Sequence, residues 1–338
     1  MSEYELPFAF GAPPLRGRLR SQPDDFFVEE ILGYEPDGAG EHAFVLVEKR
    51  GANTDWVARE VAKFAGTAPM NVGYAGMKDR HALTRQVFTV QLPGKADPDW
   101  SAFPHAEVKL TALGRHSRKI KRGALRGNRF VLVLREIEGD RAAAESRLAA
   151  IAARGVPNYF GEQRFGLGGN NVEQARAMFK GRRVDRDKRS ILLSAARSHI
   201  FNGALAERVS AGTWDASMDG EIWGLDGSRS WFGPEAFNDT LAERLARFDI
   251  HPTGPLWGSG ETPAAGQVAA LENAVAARDP DLAAGLAGAR MDHERRALRL
   301  KPADFTWRWL DDGALEVSFT LPAGAYATTV IRELALTL

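Results

Sequence analysis

Asn71-Val-Gly-Tyr-Ala-Gly-Met-Lys-Asp-Arg-His-Ala-Leu-Thr-Arg-Gln86 reads as the end of one strand, a charged loop, and the start of another. Residues 71–75 and 85–92 alternate apolar with polar side chains, as strands with one buried face do. The loop between them holds Asp79 with Lys78 and Arg80 on either side. Adjacent cations favour an ionised carboxylate, so Asp79 is expected to be charged at neutral pH and available as a nucleophile or base. A plain solvated turn carries such a trio too.

Working outward, residues 15–20, 44–48 and 129–135 read as further short strands. Trp56, Val57, Val61 and Phe64 recur at helical spacing over 55–64, with Asn53 or Thr54 as the N-cap. The first part of the chain is therefore mixed α and β with hairpins. At Gly139 and Asp140 the character changes to Ala-rich helical sequence over 142–153, and Ala/Arg/Glu-rich stretches continue to about residue 298. Alternation returns at 305–310 and 314–321 around the turn Asp311-Asp312-Gly313, and apolar residues 328–338 suit a core helix or strand. A β-rich start, a helical middle and a β-rich end predict one domain from residues 1–153 and 301–338, interrupted by a second, α-rich domain over 154–300. Substrate is expected between them, since ligand sites favour domain interfaces.

The chain has 338 residues, 44% hydrophobic and 26% charged, and no cysteine. Two domains and a substantial core fit that length, and disulfides, thiolate metal sites and a cysteine nucleophile are excluded. The seven histidines show no close metal-ligand pairing, so no metal is expected. No basic segment leads a long apolar core at the start, and no apolar run approaches a membrane span. A cytoplasmic protein is expected, without membrane attachment; nothing calls for a protein partner, and a monomer is expected.

Basic and acidic residues balance at 44 each, which by itself speaks against a polyanion partner. The charges are nevertheless segregated. Residues 115–129 contain Arg115, Arg118, Lys119, Lys121, Arg122, Arg126 and Arg129 and no acidic residue. Such cations repel unless phosphate or distant carboxylates meet them; the glycines here allow close backbone approach, and Phe130 either stacks on an unpaired base or sits in the core. The basic run 180–189 is diluted by Asp185 and Asp187. The Gly-rich stretch from Phe165 lacks the last glycine of a dinucleotide loop, because Asn171 stands there.

Five stretches, in order along nearly the whole chain, resemble the TruD family of tRNA pseudouridine synthases: Gln22-Pro-Asp-Asp-Phe26, Gly76-Met-Lys-Asp-Arg-His-Ala-Leu-Thr84, Gly127-Asn-Arg-Phe130, Gly155-Val-Pro-Asn-Tyr-Phe-Gly-Glu-Gln-Arg-Phe-Gly166 and Leu321-Pro-Ala-Gly-Ala-Tyr-Ala-Thr328. The resemblance implies an α+β pseudouridine synthase domain with a mixed, mostly antiparallel sheet, interrupted by the family's α-rich insertion. It implies isomerisation of a uridine in the D arm of tRNA, position 13, without a cofactor. Asp79 falls on the family's catalytic Asp. Arg20, Phe26, Lys78, Asn128 and Phe130 fall on positions that contact substrate, and Tyr326 stands where the family has Phe. Two other readings use the same cations and aromatics: a non-catalytic RNA-binding or chaperone protein, and a base-releasing N-glycosylase.

Overall fold

A computed structural model describes residues 6–338; the first five residues, where the segment read for a leader begins, lie outside the described part. Along the chain, strands β1 (Leu15–Leu19), β2 (Phe26–Ile31) and β3 (His42–Arg50) precede helix α1 (Thr54–Phe64), and β4 (Val72–Tyr74), β5 (Leu83–Gln91), β6 (Val108–His116) and β7 (Gly127–Gly139) follow. Next come α2 (Arg141–Arg154), β8 (Val156–Pro157), α3 (Asn170–Phe179), α4 (Arg186–Ser210), β9 (Trp223–Leu225), β10 (Trp231–Phe232), α5 (Asp239–Ala246), β11 (Ile250–Leu256), α6 (Gly266–Ala276) and α7 (Pro280–Gly288). The chain closes with β12 (Glu294–Ala297), β13 (Arg299–Leu300), β14 (Ala303–Trp309), β15 (Leu315–Pro322), α8 (Ala327–Leu334) and β16 (Ala335–Thr337).

Contacts divide the molecule into two compact units. The sheet unit comprises Leu15–Asp140, Pro302–Gly324 and Leu336–Leu338. Its ten-stranded sheet runs β14-β15-β7-β2-β5-β3-β6, with β1, β16 and β4 paired at the sides. Strands β2 and β5 are parallel, and β1–β7, β14–β15, β15–β7, β2–β7, β3–β5, β3–β6 and β4–β5 are antiparallel, so the sheet is mixed and mostly antiparallel. The α1 helix lays Val57, Ala58, Val61 and Ala62 on the sheet, where they bury with Val45, Val47, Phe88, Val90 and Leu110. Asn53 is the N-cap, yet its side chain makes no capping bond; the Thr54 hydroxyl is used elsewhere, as described below.

The helical unit comprises Arg141–Lys301, Ala325–Ala335 and the segment up to Pro14. Its core packs α3, α4, α6 and α7 through Ala175, Leu192, Ala196, Ile200, Val275 and Leu286. It is less purely helical than its composition predicts, because β10-β9-β11-β12 form a four-stranded sheet. The division also differs from a boundary at residue 154. The α2 helix belongs with the helical unit, since Arg147 on it donates to the carbonyls of Phe10, Ala12 and Glu333, three residues of that same unit. An Ala-rich amphipathic helix has no sequence mark that tells which neighbour it will pack on.

Candidate active site

The length of β7 creates the site. Leu19 at the end of β1 pairs with Leu134, and Phe26 at the start of β2 pairs with Leu132. Two strands thus lie end to end on one, and residues 20–25 must leave the sheet and return within a few ångströms. Arg20 makes the turn with φ of 61°, a left-handed conformation that costs a non-glycine residue of order 1–3 kcal/mol and tends to be retained at functional positions. Asp25 is buried and clamps the return: it accepts from Arg135 at 2.8 Å and from the Gln22 backbone N–H at 3.0 Å.

This turn sets the Arg20 guanidinium 4.0 Å from the centroid of the Phe26 ring. From there its Nη2 meets Asp79 Oδ2 at 2.9 Å. Asp79 Oδ1 accepts from the His81 backbone N–H at 3.0 Å. The cation on the carboxylate is therefore Arg20, fifty-nine residues away in sequence, rather than the adjacent Lys78. Lys78 is turned inward, and its ammonium pairs with buried Glu30 at 2.7 Å. Burial raises the Glu30 carboxyl above the usual range, and Lys78 pulls it back. Lys78 so fastens the loop instead of presenting charge to a substrate.

Other buried polar groups fix the same loop. The Lys78 backbone N–H donates to the Thr54 hydroxyl at 3.0 Å, that hydroxyl donates to Gln86 Oε1 at 3.3 Å, and Gln86 Nε2 donates to the Gly76 carbonyl at 3.1 Å. Lys49, with 0% exposure, donates to the Asp79 carbonyl at 3.1 Å. Burial pushes its ammonium down to about 8, against the opposing pull of Asp79. Sequence reading missed Glu30, Lys49, Thr54 and Gln86. A signal for Lys49 existed: with Val45 and Val47 inward on β3, alternation puts Lys49 inward as well.

Phe130 lies opposite Val28 across β7 and β2. Its ring is 8% exposed, edge-on to Phe26 at 6.5 Å and tilted on Phe319 at 5.6 Å. Of the two sequence readings, a stacking platform and a core residue, this geometry is the core. Asn128 lies opposite Glu30, and among the described residues its buried Oδ1 has no hydrogen-bond partner, nor do Arg20 Nε, Glu30 Oε1 and Thr84 Oγ1. Unpartnered buried polar atoms are costly, about 1–3 kcal/mol each. These four come from β2, β5, β7 and the turn after β1, neighbouring parts of the sheet unit. The structure brings Arg20, Phe26, Lys78, Asp79, Asn128 and Phe130 into the sheet unit, whereas Tyr326 belongs to the helical unit, with its ring 6.2 Å from Phe160.

The basic stretch 115–129 is only partly bare. Arg115 pairs with Asp97, Arg122 with Asp55 while lying over the Tyr74 ring, and Arg129 with Glu29. Carboxylates brought from other segments neutralise three of the seven, which no count within the stretch could reveal. Arg118, Lys121 and Arg126 have no carboxylate at ion-pair distance among the described residues. No group of three or more His, Asp or Glu that could hold a metal occurs among the described residues either.

The family model of tRNA pseudouridine synthase D (TruD) matches residues 6–183 and 173–334. A tRNA pseudouridine synthase D of Xanthomonas euvesicatoria is 52% identical to this chain, covering 99% of it and 95% of its own length. One of Methylococcus capsulatus is 48% identical, covering 98% and 94%. The crystal structure of a TruD-family protein from Methanosarcina mazei superposes with a TM-score of 0.74 over 97% of this chain and 95% of its own, at 22% identity, a likeness of fold. Motifs, sheet and relatives agree: the chain belongs to the TruD family of tRNA pseudouridine synthases and is an isomerase.

Proposed function

We propose that this protein converts uridine to pseudouridine in the D arm of tRNA, at position 13, with the Asp79 carboxylate and without a cofactor. The observation that carries this reading is the Arg20–Asp79 pair, whose carboxylate residue is held by Lys49 at its carbonyl and whose Arg20 Nε has no partner among the described residues. Isomerisation breaks the N1–C1′ bond, turns the freed uracil in place and forms C5–C1′; the proton leaving C5 is balanced by one gained at N1. No atom enters or leaves, so one carboxylate that alternates between base and nucleophile is enough. Asp79 attacks C6 of the ring, attacks C1′ of the ribose, or removes a proton in an elimination route, and all three need the geometry that Arg20 imposes. Asn128 Oδ1 offers an acceptor to a ring N–H. The Phe26 ring, backed by Phe130 in the core, gives the base an apolar floor, which helps offset the few kcal/mol of extruding it from the tRNA stack.

The test is pseudouridine mapping on an unmodified tRNA transcript with wild-type protein and Asp79→Asn. The expected result is pseudouridine in the D arm with the wild type, none with the variant, and affinities within about tenfold of each other, about 1.4 kcal/mol, because one carboxylate is minor among many phosphate contacts. Product formed by Asp79→Asn removes Asp79 from the chemistry. Free uracil in place of a C5-linked product makes the protein a glycosylase, and tight binding with neither makes it an RNA-binding protein.

A further inference from the structure

The loop that carries Asp79 presents an apolar side chain that the reaction proposed above does not use. Met77 is 52% exposed, between Gly76 and the inward-turned Lys78. A single exposed apolar residue calls for no explanation on an ordinary surface. This one stands on a loop tied down on both sides of it. The Gly76 carbonyl accepts from Gln86 Nε2 at 3.1 Å, and the Lys78 backbone N–H donates to the Thr54 hydroxyl at 3.0 Å. The Lys78 ammonium sits on Glu30 at 2.7 Å, with 6% of its side chain exposed. Beyond it, Lys49 donates to the Asp79 carbonyl at 3.1 Å. A Cβ on Gly76 would come within 3.3 Å of the Lys78 ammonium, so the inner side of the loop is filled. Lys78 takes that side, and Met77 is left facing outward.

Among residues 76–81, Met77, Arg80 and His81 are exposed. Arg80 and His81 are well solvated by water and can also meet phosphate. A thioether gains little from either, and its favourable contacts are with apolar groups and aromatic rings. Met70 is the contrast: it is 78% exposed in the turn before β4, outside the Asp79 loop.

We infer that Met77 is an apolar wedge, which enters the gap that the target uridine leaves in the RNA stack and packs on the flanking base while Asp79 works on the extruded one. Extruding a base breaks its stacking on both sides, and an apolar side chain placed in the gap offsets part of that cost. The chain from Met77 to Asp79 spans at most about 7 Å, so a nucleotide held at Asp79 has its neighbours within reach of the thioether. The backbone on either side is already fixed, so the wedge is presented without the cost of ordering a loop. This role rests on the isomerase reading and deepens it: Met77 forms no bond to the uracil and takes no proton, and it acts on the population of the extruded state.

Single-turnover rates at saturating RNA test it on two substrates: an unmodified tRNA transcript, and one whose nucleotides opposite the target uridine are replaced so that it cannot pair. Met77→Ala is expected to slow the first at least about tenfold, with affinity within about threefold of wild type, and to slow the second less than about threefold, because extrusion there costs little. Met77→Leu keeps the apolar volume and should stay within about threefold of wild type on both. Met70→Ala, which removes an exposed methionine elsewhere, should match wild type on both. Thermal unfolding should be unchanged in all three variants, since both side chains are exposed. A Met77→Ala protein as fast as wild type on the first transcript, or slowed equally on both, overturns the wedge and leaves the isomerase reading intact. A wild-type protein that forms no pseudouridine on either transcript overturns that reading, and the wedge with it.

Discussion

Two arginine–carboxylate pairs show opposite designs within one chain. In the helical unit, Arg295 holds both oxygens of Glu272, at 2.9 and 2.6 Å, while its other donors go to the hydroxyl and carbonyl of Thr253, and Thr262 adds a bond to Glu272. Both side chains are 1–2% exposed. In the sheet unit, Arg20 touches Asp79 through one nitrogen, both side chains keep a quarter or more of their surface in solvent, and Arg20 Nε has no partner. The closed pair is complete without anything else. The open pair is anchored through the Asp79 backbone and its neighbours while Arg20 Nε is left without a partner among the described residues, which is how a binding site differs from a structural bridge.

The sharpest way to break this comparison is to remove each arginine. Arg295→Met leaves a buried carboxylate alone, and a loss of roughly 3–5 kcal/mol of stability is expected in denaturant unfolding, with the rate per folded molecule unchanged. Arg20→Met is expected to change stability by less than about 1 kcal/mol, as partly exposed pairs do, and to slow pseudouridine formation at least tenfold. Equal destabilisation by the two would mean that the open pair is structural after all.

Lys49 sharpens the comparison from beneath. Its ammonium is fully buried, pushed down to about 8 chiefly by desolvation, and faces Asp79 and Lys78 as its charged neighbours. Between about pH 8 and its ordinary value of 10.5, the unfolded chain holds a proton at Lys49 that the folded chain has released. This group's contribution to stability therefore rises with pH across that window. Lys49→Met is expected to be more stable than wild type at pH 7, with the difference narrowing from about pH 8 upward, and to modify tRNA about tenfold more slowly because the Asp79 carbonyl loses its donor. A Met variant that is both less stable and fully active would make Lys49 a core residue with no positioning role.

How much of this was legible in the sequence depends on where each residue's partner lies. Helix α1, the hairpin turn at Gly313 and the strands around Asp79 carry their own periodicity or turn chemistry, and all form as read. Strand β2 was not read because Phe26-Phe27-Val28-Glu29-Glu30-Ile31 puts Glu30 on the inward face, which only Lys78 explains. Strand β11 was hidden by Pro252 and Pro255, residues usually kept out of strand interiors. At the site, Asp79, Arg20 and Phe26 were found through the family's short stretches. The Lys78–Glu30 pair was beyond reach, because its two members are far apart in sequence and each resembles an ordinary surface charge.

The smallest effect expected is on the basic stretch 115–129, and it extends the same contrast between closed and open charges to the surface. Arg115, Arg122 and Arg129 are already paired, so exchanging them for Gln removes a cation and frees a carboxylate, and much of any loss in RNA affinity would come from the freed negative charge. Among the described residues Arg118, Lys121 and Arg126 lack such partners, so each is available to displace a counterion from tRNA. Neutralising these three together should lower affinity for unrelated RNAs alike, a few-fold at moderate salt, and reduce the slope of log Kd against log salt by up to about three. The rate at saturating tRNA should hold, since among the described residues none of the three is ion-paired to the Asp79 loop. An unchanged slope would show that RNA does not cross this hairpin, and that its cations are solvated charge like the Lys78–Arg80 loop was read to be at first sight.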